Sequence, residues 1–190
     1  MDYTNDIKEY FDNVKKTLDQ VSKESLSEII NILNHARDSH KNIFICGNGG
    51  SASTASHYCC DFNKGVSSNQ ASKFRFICLG DNIPTMMAYA NDTSYNNIFV
   101  CPLENLFLPG DYVIGISGSG NSENVVKAIE FANQNKGISI GITGYDGGRI
   151  MKIAQYNINV PINNMQISED IHMIFDHCMM TILCKYGERR

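Results

Sequence analysis

No stretch of this 190-residue chain is apolar for long enough to cross a bilayer, so no membrane partner is expected. The amino terminus, Met1-Asp2-Tyr3-Thr4-Asn5-Asp6, is polar and has no signal-peptide character. Positive charge is in deficit: 16 Lys and Arg face 20 Asp and Glu, a net charge of −4. That balance argues against a general nucleic-acid surface. Zinc-finger cysteine spacing is missing, and the seven cysteines are an odd count. Cys46, Cys78, Cys101, Cys178 and Cys184 sit inside apolar runs, where a reduced thiol behaves as a small hydrophobe. This suits a reducing cytoplasm better than a disulfide framework. Internal repeats and low-complexity segments are absent too. What remains is a chain long enough to bury a core, expected as one domain over 1–190.

Apolar periodicity divides the chain. Ile7, Tyr10, Phe11, Val14, Leu18 and Val21 recur at helical steps, which predicts an amphipathic helix over 4–21. Ser25 or Ser27 is expected to cap a second helix carrying Leu26, Ile29, Ile30 and Leu33. These helices form an extension of about residues 1–38, whose apolar faces pack either on the sheet or on another subunit. Five strands are expected at 42–46, 74–79, 112–116, 137–143 and 156–160, with helices between them. The last helix is expected to be capped by Ser168 and to run to about Tyr186. Strands alternating with helices predict an α/β fold, a parallel sheet covered on both faces. Ligands in such sheets bind at the carboxyl ends of the strands.

Two loops stand at those strand ends. After Ile43–Cys46 comes Gly47-Asn48-Gly49-Gly50-Ser51, and after Tyr112–Ile116 comes Ser117-Gly118-Ser119-Gly120-Asn121-Ser122. Glycines let backbone approach a ligand, and the N–H groups that open a helix favour an anion. Three short hydroxyls in the second loop suit phosphate oxygens; the plainer alternative is a turn with a serine cap. The first loop also fits a loose dinucleotide fingerprint, Gly47-x-Gly49-x-x-Ala52, with Asp81 after strand two. Neither loop is followed by a Walker lysine, which disfavours a nucleotide triphosphatase. His57 and Asp61 are four apart and share a helix face. Glu169 and His177 are eight apart on the last helix, roughly 80° around it. Together these four make a plausible cation site; solvated charges are the plainer alternative. Glu169 also shares a face with His172, His35 and His40 are expected to be exposed, and the Met86-Met87 and Met179-Met180 pairs are expected to fill core.

Cys46-Gly47-Asn48-Gly49-Gly50-Ser51-Ala52, His57, Asn91-Asp92, Gly115 to Ser122, and Glu169-Asp170-Ile171-His172 with His177 come in the order seen in the sugar isomerase (SIS) domain family. The chain most resembles its phosphoheptose isomerase subgroup. That resemblance implies a five-stranded parallel sheet flanked by helices, a flavodoxin-like three-layer sandwich, in a cytoplasmic homotetramer. It implies an enzyme that interconverts sedoheptulose 7-phosphate and D-glycero-D-manno-heptose 7-phosphate by enediol proton transfer, for heptose in lipopolysaccharide or capsule. It implies substrate contacts at Asn48, Gly49, Gly50, Ser51, Asn91, Asp92, Ser117, Gly118, Ser119, Ser122 and Glu169. It implies zinc or another divalent metal on His57, Asp61, Glu169 and His177, and proton transfer by Asp61 and His177.

The chain departs from that family at three places. The family usually has glutamate at Asp61, glutamine at Glu169 and a hydroxyl residue at Gly118. Aspartate shortens the reach of the base by about 1.5 Å, and a misplacement near 1 Å can cost roughly 10²-fold in rate. Two alternatives follow: another phosphosugar in the same site, or a non-catalytic tetramer that senses a phosphosugar or binds a partner.

Overall fold

In the computed structural model, residues 1–186 are described. Two helices open the chain, α1 (Thr4–Gln20) and α2 (Lys23–Asp38), followed by β1 (Ile43–Cys46) and α3 (Gly50–Cys60). Helix α3 runs on into a π-helical turn, Asp61–Val66. Then come β2 (Phe76–Cys78), α4 (Ile83–Asp92), α5 (Val100–Leu106), β3 (Tyr112–Ser117) and α6 (Glu123–Gln134). β4 (Ile138–Gly144), α7 (Gly148–Ile153), β5 (Tyr156–Val160) and α8 (Met165–Tyr186) complete it. The five strands form one parallel sheet in the order β2-β1-β3-β4-β5.

Side-chain alternation gives each strand two buried faces. Ile43 and Ile45 of β1 join one core, with Leu33, Tyr58, Ile171 and Phe175 from α2, α3 and α8. Phe44 and Cys46 join the other, with Leu103, Val125 and Ile129 from α5 and α6. That is the expected three-layer arrangement, and it explains why the strands read as unbroken apolar runs. Gly115 on β3 lets α6 lie close: a Cβ there would meet Val125 Cγ1 at 2.7 Å.

Several boundaries differ from the sequence expectation. The edge strand β2 is only three residues, paired with the four-residue β1 from Ile43↔Phe76 to Ile45↔Cys78. Ser22, not Ser25 or Ser27, caps α2, accepting from the Ser25 amide at 3.0 Å. Asn164 caps α8, its carboxamide oxygen accepting from the Ile167 amide. Ser168 is instead buried inside the first turns, donating back to the Asn164 carbonyl. The apolar stripe of α1 is divided. Tyr10, Val14 and Leu18 pack on the core, whereas Ile7 and Phe11 are more than half exposed. All seven cysteines are free thiols. Among the described residues no helix is long and apolar enough to cross a membrane.

β1 and β3 are neighbours whose chains depart in opposite directions along the sheet, which makes their carboxyl ends the topological switch point. Both glycine/serine loops leave from there.

Candidate active site

The two loops meet in one cavity of about 260 Å³. Asn48, Gly49, Gly50 and Ser51 line it from the first loop and the start of α3; Ile116, Ser117, Gly118, Ser119 and Ser122 line it from the second; Met165 and Glu169 close it from α8. Gly49 holds a positive φ of 55°, a conformation that glycine adopts without strain. Ser122 occupies the cap position of α6 but makes no side-chain cap bond. Its hydroxyl accepts from Ser117 Oγ at 3.1 Å and stays on the cavity wall. So the plain serine cap is not what this loop builds.

Asn48 is held from behind. Its amide and that of buried Asn124 exchange two hydrogen bonds, at 2.9 and 2.8 Å, and Tyr95 donates to the Asn48 carbonyl oxygen at 2.8 Å. The Glu169 carboxylate lies directly over Gly50, where an added Cβ would sit 2.3 Å from Oε2. The thioether of Met165 fills the space beside Gly118 in the same way, with Sδ 2.4 Å from a built Cβ. Asn91 and Asp92, at the end of α4, are exposed, bond to each other at 2.8 Å and are not part of the cavity wall.

Farther along α3 and α8 lies a second group. His57 Nε2 and His177 Nε2 face each other at 3.1 Å. Asp61 Oδ2 is 3.5 Å from His57 and 4.0 Å from His177, and Asp176 Oδ2 is 3.7 Å from His57. These four residues offer ligand atoms that all lie within 4.8 Å of one another. Three of them, His57, Asp61 and His177, stand together as expected. Glu169 does not join them. It is near the start of α8, level with Gly50, whereas Asp176 is adjacent to His177 and takes the fourth place.

Asp176 is fully buried, and neither carboxylate oxygen has a hydrogen-bond partner. Burial pushes its carboxyl up to about 7, and the charge of Asp61 adds to the shift. A buried charge is costly unless paired. Alone, this carboxyl keeps its proton up to about pH 7; a cation that offsets its charge favours the anion, so a divalent ion fits the donor set of two imidazoles and two carboxylates. His172 is not part of the group. It is buried, its Nε2–H donates to the Thr143 carbonyl at 3.0 Å, and burial pulls its pKa down to about 4.

Sequence reasoning missed Asp176, Asn124, Tyr95 and Met165. Asp176 left a signal: it is an acid in the apolar run Ile171–Met180, two helical turns after Glu169 and hence on the same face. The others left none, because their roles depend on contacts distant in sequence.

The SIS domain family profile matches residues 9–144 of the chain, from α1 through β4. The phosphoheptose isomerase of Aliarcobacter butzleri is 35% identical over 141 residues, which is 74% of this chain and 74% of that protein. The phosphoheptose isomerase of Geotalea daltonii is 32% identical over 190 aligned positions, covering 97% of this chain and 98% of that one. Among solved structures, phosphoheptose isomerase GmhA from Neisseria gonorrhoeae superposes with a TM-score of 0.88 at 23% identity, over 97% of this chain and 100% of that one; this likeness concerns the fold. A family match over most of the chain, end-to-end relatives and a shared three-layer architecture lead to one assignment: the chain belongs to the SIS domain family.

Proposed function

We propose that this protein is an aldose–ketose isomerase that interconverts sedoheptulose 7-phosphate and D-glycero-D-manno-heptose 7-phosphate, supplying heptose for a surface polysaccharide. The observation that carries this is the shared framework of cavity and cluster. Both are built on α3 and α8, with Gly50 and Glu169 at the cavity and His57 and His177 farther along the same helices. Gly50 and His57 are seven residues apart on one face, roughly 10 Å at the helical rise. An extended seven-carbon sugar phosphate covers on the order of 10 Å from phosphate to carbonyl carbon, at about 1.5 Å per bond before projection. A phosphate in the cavity therefore brings the reactive end of the sugar to the cluster.

The chemistry follows from the residues. Hydroxyls of Ser117, Ser119 and Ser122 with the loop amides bind the phosphate. Asn48, Gly49, Gly50, Ser51 and Glu169 position the sugar body, with Gly118 leaving room for Met165. Asp61 removes the proton from the carbon beside the carbonyl. His177 protonates the carbonyl oxygen, giving an enediol; Asp61 then returns the proton to the former carbonyl carbon while His177 takes back the hydroxyl proton of the neighbouring carbon, which becomes the new carbonyl. Acid–base transfer of this kind contributes roughly 10²–10⁴-fold. A divalent cation, which we take to be zinc, would be held by the imidazole and carboxylate cluster; when bound it polarises the carbonyl oxygen and stabilises negative charge developing there.

A cytoplasmic homotetramer belongs to the same proposal. It gives the exposed Ile7 and Phe11 a partner, and it offers Asn91 and Asp92 a route to a neighbouring subunit's substrate. Light scattering of the purified protein checks the assembly. A second reading keeps the site and changes the sugar, and the apolar wall that Met165 adds beside Gly118 favours it. Turnover of a panel of hexose and heptose phosphates separates the two. Turnover confined to the heptose supports the isomerase of seven-carbon sugars, and preference for a six-carbon sugar overturns it.

A further inference from the structure

We propose that Asp176, rather than Glu169, supplies the second carboxylate of the cation site, leaving Glu169 to the sugar. This rests on the cation reading given above and divides the two acids of α8 between ion and substrate.

Four observations converge. First, Asp176 is fully buried and both of its oxygens lack hydrogen-bond partners. Buried polar groups are nearly always paired, and a carboxylate is among the least tolerant of isolation. Second, it is aimed into the cluster, 3.7 Å from His57 Nε2. That separation is too long for a hydrogen bond.

Third, the spacing suits a shared ion. Metal–donor bonds of about 2.0–2.2 Å in a tetrahedral site place ligand atoms about 3.3–3.6 Å from one another. The separations are 3.1 Å between the imidazoles, 3.5 and 4.0 Å from Asp61 to the two rings, and 3.7 Å from Asp176 to His57. Two carboxylates also neutralise a divalent ion, and a third from Glu169 would leave a net negative charge. Fourth, Glu169 is engaged elsewhere, over Gly50 at the cavity wall.

The test is metal binding by the full chain, stripped with chelator and titrated with Zn²⁺ and Co²⁺. Wild type is expected to bind one ion per chain. Glu169→Gln should bind within about threefold of wild type. Asp176→Asn should bind at least about 100-fold more weakly, since even partners of metal ligands are worth 10–100-fold. Circular dichroism of the metal-free proteins confirms that each variant is folded. Asp176→Cys provides a gain of signal: with one equivalent of Co²⁺ and a folded circular dichroism spectrum, it should show a thiolate-to-cobalt charge-transfer band above any background from the seven native thiols seen in wild type and in Glu169→Cys. The proposal is overturned if Asp176→Asn keeps wild-type affinity, or if Glu169→Cys shows the band and Asp176→Cys does not. Absence of any ion binding by wild type would overturn the cation reading itself, and this proposal with it.

Discussion

Gly50→Ala separates stability from function at the point where α3 meets α8. A Cβ at residue 50 would lie 2.3 Å from Glu169 Oε2, and ordinary contact begins at 3.4 Å. The carboxylate must therefore retreat by about 1 Å. The obstacle is the end of a flexible side chain, so the backbone has no need to move. Gly50 is helical and does not hold a positive φ. Alanine there should gain up to about 1 kcal/mol from helix propensity and lost chain entropy. Folding stability in denaturant should thus be equal or higher. Activity should fall, because a 1 Å displacement of a positioning group costs roughly 10²-fold. The assay is kcat/KM beside a urea melt for Gly50→Ala, Glu169→Ala and the double variant. If Gly50→Ala acts by displacing Glu169, the double variant is no worse than Glu169→Ala alone. Full activity in Gly50→Ala, or losses that multiply in the double variant, would refute the placement of Glu169 at the sugar.

The site also predicts pH, affinity and packing effects. His172 falls from its ordinary 6.5 to about 4 on folding. Its stabilising contribution is thus present above pH 6.5 and is lost as pH falls towards 4, on the order of 3 kcal/mol in all. His172→Gln, which keeps a donor for Thr143, should flatten that acid limb in denaturation measured against pH. Asp176 works in the opposite direction in chelator. Raised from 3.8 to about 7, it contributes fully below pH 3.8 and its contribution is lost as pH rises through 7, on the order of 4 kcal/mol. Asp176→Asn should remove this slope from the same measurement. Ser117→Ala and Ser122→Ala should each weaken sugar-phosphate binding about 10-fold by calorimetry, the worth of one hydrogen bond to a charged group. Gly115→Ala should cost about 1–3 kcal/mol by overpacking against Val125 and Ile129, read as a lower urea midpoint.

The layered fold was legible because its determinants are local. Apolar runs such as Ile43–Cys46 and Tyr112–Ile116 lie between amphipathic segments, and that alternation requires a parallel sheet with two covered faces. β5 begins and ends where the pattern places it. Errors fall where a tertiary partner decides. β2 pairs with β1 over only three residues. The α8 cap moves to Asn164 because Ser168 is drawn into the core. The Asp61–Val66 turn leaves no periodic signature at all, although it sets the position of Asp61; π-helical turns of this kind are frequent at functional sites. In the site, the convergence of the two loops and the His57, Asp61 and His177 grouping could be anticipated from spacing. The separation of Glu169 from Asp176 could not. It depends on how α8 is aligned against α3, and only packing sets that alignment.

The central claim is proton transfer on a phosphosugar by groups carried on α3 and α8. It is tested most directly by incubating the metal-loaded protein with sedoheptulose 7-phosphate in D₂O and following the sugar by NMR. Deuterium should enter C1 of the ketose and C2 of the aldose product, at rates at least about 10²-fold lower in Asp61→Asn and His177→Asn. Absence of exchange in the wild-type protein, or exchange that is unchanged in both variants, would contradict the account.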